Sequence, residues 1–151
     1  MYIYVVRHAK AGSRSRWDTD DRERPLSKNG IAQSIALGDA LGRLEIDRIY
    51  SSPFVRCIQT VEPLSARLGV QVVADSQLEE ACAWEYALEL AEAAAGPTVI
   101  CSHGDVIGDL MITLERRGVP LDDNRIEKGS VWALRVEDGQ VVAGEYSSPP
   151  A

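Results

Sequence analysis

Histidine is scarce in this chain: its 151 residues include only two, His8 and His103. Three cysteines, Cys57, Cys82 and Cys101, form no C-x-x-C pair, and together with two isolated histidines they lack the ligand spacing of a zinc site. A zinc site is therefore not expected; no cofactor is expected either. The cysteines make no paired disulfide framework either, so reduced thiols in a cytoplasmic protein are expected. No apolar run approaches the ~20 residues of a membrane-spanning helix. Met1 leads straight into a short strand with no basic leader, which again fits a cytoplasmic location. Positive charge is in the minority, 16 Lys and Arg against 23 Asp and Glu for a net charge of -7. That balance argues against a nucleic-acid-binding face, which needs a basic stripe, but leaves room for a local basic pocket.

The remaining composition is that of an ordinary globular protein. Length predicts a single domain over 1–151, long enough to bury about 70% of the surface its unfolded chain exposes. Strand-like runs are predicted at Tyr2 to Arg7, Asp47 to Ser51, Val70 to Ala74 and Thr98 to Ser102. Helices are predicted between them. The first opens at the N-cap Ser27 and ends near Leu44, with Ile31, Ile35, Leu37, Ala40, Leu41 and Leu44 largely on one face. The second opens at Ser52-Pro53 and stops at Gly69. The third covers about Trp84 to Ala95, closed by Gly96-Pro97, and the fourth runs from Gly104 to Arg117. Asp138-Gly139, between two alternating segments, predicts a terminal hairpin. Alternating β and α units imply an α/β fold: a three-layer α/β/α sandwich on a mostly parallel mixed sheet.

Both histidines fall just past the C-terminal end of a predicted strand, in Val5-Val6-Arg7-His8-Ala9 and Ile100-Cys101-Ser102-His103-Gly104. Strand C-termini of a parallel α/β sheet converge on one edge, where ligands bind. Arg7 ends an otherwise apolar strand, and an unpaired guanidinium there would be costly. Arg56 lies one turn into the second helix. Arginine suits phosphate because its planar fork donates two hydrogen bonds to two oxygens. The loop from Ala9 to about Pro25 mixes Lys10, Arg14, Arg16 and Arg24 with four carboxylates. The basic residues are candidate substrate ligands, although local pairing would neutralise them equally well. Trp17 and Trp84 are candidates to stack on a base.

Arg7-His8-Ala9 resembles the Arg-His-Gly signature of the histidine phosphatase superfamily, of phosphoglycerate mutase-like fold, with Ala9 in place of the glycine. The segments Arg24-Pro25-Leu26-Ser27-Lys28-Asn29-Gly30, Ser51 to Thr60, Leu78-Glu79-Glu80 and Ser102-His103-Gly104 agree in order and spacing. The resemblance is greatest to the small bacterial phosphohistidine phosphatases and to the phosphatase-type domain fused to some Nudix hydrolases, which acts on nucleotides. Only residues 81–102 lie between Glu80 and His103, so a minimal cap is expected and a mutase is the less favoured reading. The resemblance implies a metal-independent phosphohydrolase working through phospho-His8. Arg7, Arg56 and His103 would hold the phosphoryl oxygens, and Glu80 would be general acid and then base. Arg7 and Arg56 are expected to keep His8 neutral. The expected partner is a phosphorylated substrate: a phosphohistidine protein, or alternatively a nucleotide or small phosphate ester. No nucleic-acid polymer or membrane is expected. A phosphate-binding module without turnover is the non-enzymatic alternative.

Overall fold

The computed structural model describes residues 1–150. Six strands, β1 (Tyr2–Arg7), β2 (Arg48–Ser51), β3 (Val72–Ala74), β4 (Thr98–Ser102), β5 (Val131–Glu137) and β6 (Gln140–Ser147), form one sheet of order β3-β2-β4-β1-β5-β6. β1, β2, β3 and β4 run parallel, whereas β5 and β6 are antiparallel additions beyond β1. Four helices, α1 (Lys28–Leu41), α2 (Val55–Leu68), α3 (Glu85–Glu92) and α4 (Gly104–Arg116), connect them.

The pleat of the sheet sorts the core into two layers, because successive side chains point to opposite faces. Tyr4, Val6, Val99 and Cys101 pack with Leu37 and Leu41 of α1 and Cys57, Val61 and Leu64 of α2. Ile3, Val5 and Ile100 pack with Ala87, Leu88 and Ala91 of α3 and Val106 to Leu114 of α4. The result is the predicted sandwich, with α1 and α2 on one face and α3 and α4 on the other. No helix among the described residues is long and apolar enough to cross a membrane.

Local signals account for most element ends. Ser27 Oγ accepts from the Gly30 amide at 3.1 Å and starts α1. Position 30 must be glycine, because a Cβ would lie 1.8 Å from the Lys10 carbonyl oxygen. Gly69 closes α2 in the left-handed region at φ 68°. Asp138 (φ 51°) and Gly139 (φ 73°) make the hairpin turn between β5 and β6.

Three expectations need correction. Ile31 and Ile35 of α1 are about half exposed, at 48% and 53%. The buried face is Gly30, Ser34, Leu37, Gly38 and Leu41, because small side chains let α1 approach α2 closely. The second helix begins at Val55, not at Ser52-Pro53. Ser52 is instead held at the sheet edge, its amide donating to Cys101 O at 3.0 Å. The third helix is shorter than predicted and ends at Glu92, with Ala93 as its cap.

Candidate active site

The register of β1 against β4 brings the histidines together. Arg7 pairs with Ser102, and the His8 amide donates to Ser102 O at 3.1 Å, so each histidine is the first residue past its strand. Their rings meet edge to face with centroids 5.4 Å apart. Both are buried.

His8 Nδ1 lies 2.8 Å from the carbonyl oxygen of Ala9. A carbonyl only accepts, so Nδ1 carries the proton and Nε2 keeps its lone pair. Burial pushes the ring's pKa down to about 3, against the Ala9 hydrogen bond; His103, Arg56 and Arg7 lower it further by smaller amounts. The arginines therefore act in the expected direction, but desolvation is the larger cause. Ala9 is fully buried and its amide donates to Thr60 Oγ1 at 2.9 Å, which fixes the turn after the histidine. On His103, Nε2 is 2.8 Å from Ser52 Oγ and 3.6 Å from Cys57 Sγ, and the Phe54 ring stands edge-on at 4.7 Å.

Arg7 reaches over the start of α4, its Nη1 donating to Ile126 O at 2.7 Å. A Cβ at position 104 would come within 2.7 Å of Arg7 Cζ, so the bare glycine leaves room for the guanidinium where it lies. Arg56 is fully buried, over the Phe54 ring, with Nη1 on Asp21 O at 2.9 Å and Nη2 on Asp21 Oδ2 at 3.1 Å. Among the described residues, three buried side-chain nitrogens or oxygens have no hydrogen-bond partner: Arg7 Nε, Arg56 Nε and His103 Nδ1. An orphaned buried donor costs about 1–3 kcal/mol. All three belong to residues that the sequence predicts to hold phosphate.

Glu80 accepts from Arg14 Nη2 at 3.0 Å and from Arg56 Nη2 at 3.4 Å through one oxygen. Its loop is held from two sides. Glu79 pairs with Arg22 at 2.8 Å, and the Ala81 amide, on a residue at φ 70°, donates to Asp105 Oδ2 at 2.7 Å. The segment after His8 is thereby tied to the Glu79-Glu80 loop. A cleft of about 770 Å³ lies between them, lined by Arg7, His8, Arg14, Arg24, Glu80 and Lys128 among others. Arg56 and His103 sit beneath it, buried. Arg24 is engaged by Asp21 Oδ1 at 2.9 Å and by Gly12 O.

Two candidate substrate ligands do not reach the cleft lining. Lys10 is exposed, with its amide on Gln33 Oε1, and Arg16 projects from an exposed 3-10 turn, Arg14–Arg16. Neither tryptophan lines it: Trp17 Nε1 donates to Asp20 O, and Trp84 packs against the core under Arg117. Sequence reasoning missed Asp21 as the partner of Arg56, Thr60 as the anchor of Ala9 and Lys128 at the rim. Asp21 was one of four carboxylates in a mixed loop, and Lys128 lay in a stretch with no periodic signal.

The chain belongs to the histidine phosphatase superfamily (branch 1), whose family model matches residues 3–95. It is 41% identical, over 157 aligned positions, to the 8-oxo-(d)GTP phosphatase of Mycolicibacterium smegmatis; the match covers 98% of this chain and 48% of that protein. The chain thus spans about half the length of that relative. Among solved structures, the protein histidine phosphatase SixA complexed with tungstate superimposes with a TM-score of 0.78 at 20% identity, covering 100% of this chain and 97% of that one. The α-ribazole phosphatase of Shigella flexneri gives 0.73 at 15% identity, covering 95% and 94%. The fold is the expected phosphoglycerate mutase-like α/β sandwich.

Proposed function

We propose that this chain is a metal-independent phosphohydrolase that forms a phosphohistidine on His8. One observation carries the reading: a neutral imidazole with a free Nε2 stands beside Arg7, Arg56 and His103, each with an unpartnered buried nitrogen. Nε2 attacks phosphorus as the bond to the leaving oxygen breaks, and the electron pair departs with that oxygen. Arg7, Arg56 and His103 hold the non-bridging oxygens and meet the charge of the transition state. Glu80, at the cleft, gives the leaving oxygen a proton and later takes one from the water that attacks phospho-His8. The P–N bond then breaks, and inorganic phosphate leaves.

The substrate is a phosphorylated protein or small molecule that fits an open cleft. A phosphohistidine protein is one reading, supported in fold by SixA. A nucleotide is the second, supported by the relative at 41% identity. Turnover of an aryl phosphate with chelator present tests the reaction. His8→Ala is expected to lower kcat by at least about a thousandfold, since the residual rate lacks the nucleophile. Undiminished turnover by that variant would overturn the nucleophile. Vanadate binding with no hydrolysis of any ester would favour a binding module.

A further inference from the structure

The cations around the cleft differ in what they are already doing. Arg14 is committed to Glu80 and to Asp21, and Arg24 to Asp21 and the Gly12 carbonyl. Arg56 is committed to Asp21 and Glu80. Arg7 bonds only the neutral Ile126 carbonyl and stands next to the nucleophile. Lys128 is the other lining cation without a carboxylate partner among the described residues.

Its place relative to His8 is fixed by backbone. The Gly129 amide donates to both Arg7 O and His8 O at 3.1 Å, the Arg7 amide donates to Ser130 O at 3.2 Å, and Ser130 N donates to Glu127 O at 2.9 Å. Gly129 holds φ 84°, a bend natural to glycine. The segment carrying Lys128 therefore wraps the Arg7-His8 dipeptide and presents an ammonium at the cleft rim. Burial, and then Arg7, Arg24, Lys10 and Arg14, lower the ammonium below the usual lysine range. Arg7 and Lys128, the two lining cations without a bonded carboxylate, together offer a site for an anion beside Asp105, the carboxylate at the start of α4 that also lines the cleft.

We propose that Lys128 binds a second phosphate, so that the cleft selects substrates whose leaving group is itself phosphorylated: a phosphoanhydride chain rather than a simple monoester. This deepens, and rests on, the phosphohydrolase reading. Arg7, Arg56 and His103 hold the terminal phosphoryl group, and Lys128 holds its neighbour. His8 Nε2 bonds to the terminal phosphorus, the bridging P–O bond breaks, and the electron pair leaves on the shortened chain. Such a leaving group is an anion of weak basicity and needs little proton donation. That suits a site whose one candidate acid, Glu80, has an oxygen shared by Arg14 and Arg56. The cleft offers no tryptophan, tyrosine or phenylalanine for a base, so recognition falls on the phosphates.

Binding separates this proposal from the reaction. His8→Ala protein is titrated by calorimetry with inorganic tripolyphosphate and with orthophosphate, with and without the further change Lys128→Ala. Tripolyphosphate is expected to bind at least tenfold more tightly than orthophosphate, and Lys128→Ala is expected to abolish that preference while Lys128→Arg keeps it. Equal affinities for the two anions, or an equal weakening of both by Lys128→Ala, would overturn the second-phosphate site. Whether the wild-type chain hydrolyses either tripolyphosphate or an aryl phosphate bears separately on the phosphohydrolase reading.

Discussion

Glycine 104 shows how closely chemistry and covalent geometry are joined at the level of single residues. It occupies the first position of α4, and the Arg7 guanidinium lies where its Cβ would be. Gly104→Ala has no backbone cost, since the residue is helical, and gains up to about 1 kcal/mol of helix propensity. The added methyl displaces the tip of Arg7 from beside His8. The expected outcome is a fall of at least about tenfold in kcat/KM for an aryl phosphate, since one proposed donor to the phosphoryl group is misplaced. The melting temperature should not fall. Kinetics and a thermal melt on the same sample check both, and an active variant would show that Arg7 does not need its present position. The signal for this residue was visible in sequence only as the glycine after His103; its reason lay in an arginine 97 positions earlier in the chain.

Elements were legible where their signals are local. Thr98 to Ser102 reads as a buried strand from five residues, and all five are buried. Asp138-Gly139 reads as a turn from two, and both have positive φ. Gly139→Ala forces an L side chain into that left-handed bend and should destabilise by about 1–2 kcal/mol. Urea unfolding, with an unchanged m-value, measures it; a stability equal to wild type would mean that the hairpin closes by another turn. Periodicity misled on α1 because it counts apolar residues and ignores what packs against them. Gly38 faces the backbone of Pro63 and Leu64 at about 3.2 Å for a built Cβ, so a glycine holds the interface while Ile31 and Ile35 remain outside. Ser52-Pro53 carried a good helix-start signal, but the bond from Ser52 Oγ to His103 Nε2 holds that residue at the sheet edge.

At the scale of the molecule, burying His8 neutral couples the proposed nucleophile to stability. An unfolded histidine titrates near 6.5, whereas folded His8 stays neutral down to about 3. Between those values the unfolded state binds a proton that the folded state does not, so this residue's contribution makes stability fall as pH falls. The slope is at most about 1.4 kcal/mol per pH unit for one group. Denaturant unfolding from pH 7 to pH 4 should therefore show a shallower loss for His8→Gln than for wild type. NMR of the His8 ring should show no titration between pH 5 and 8. A ring that titrates near 6.5 would mean the imidazole is hydrated, and the proposed nucleophile would be protonated over much of the useful range.

Strands, caps, turns and the sheet edge at which both histidines end are written in short stretches of chain, since each depends on side chains a few positions apart. The sequence alone was enough to place Arg7, His8, Arg56, Glu80 and His103 in one superfamily pattern. Which cations are occupied and which are free was decided only by the tertiary structure. Asp21 neutralises an arginine 35 residues away, Ile126 holds one 119 residues away, and Lys128 is left facing the cleft. Charge pairing acts through space over a few ångströms and carries no trace in sequence separation, so folding had to make those assignments.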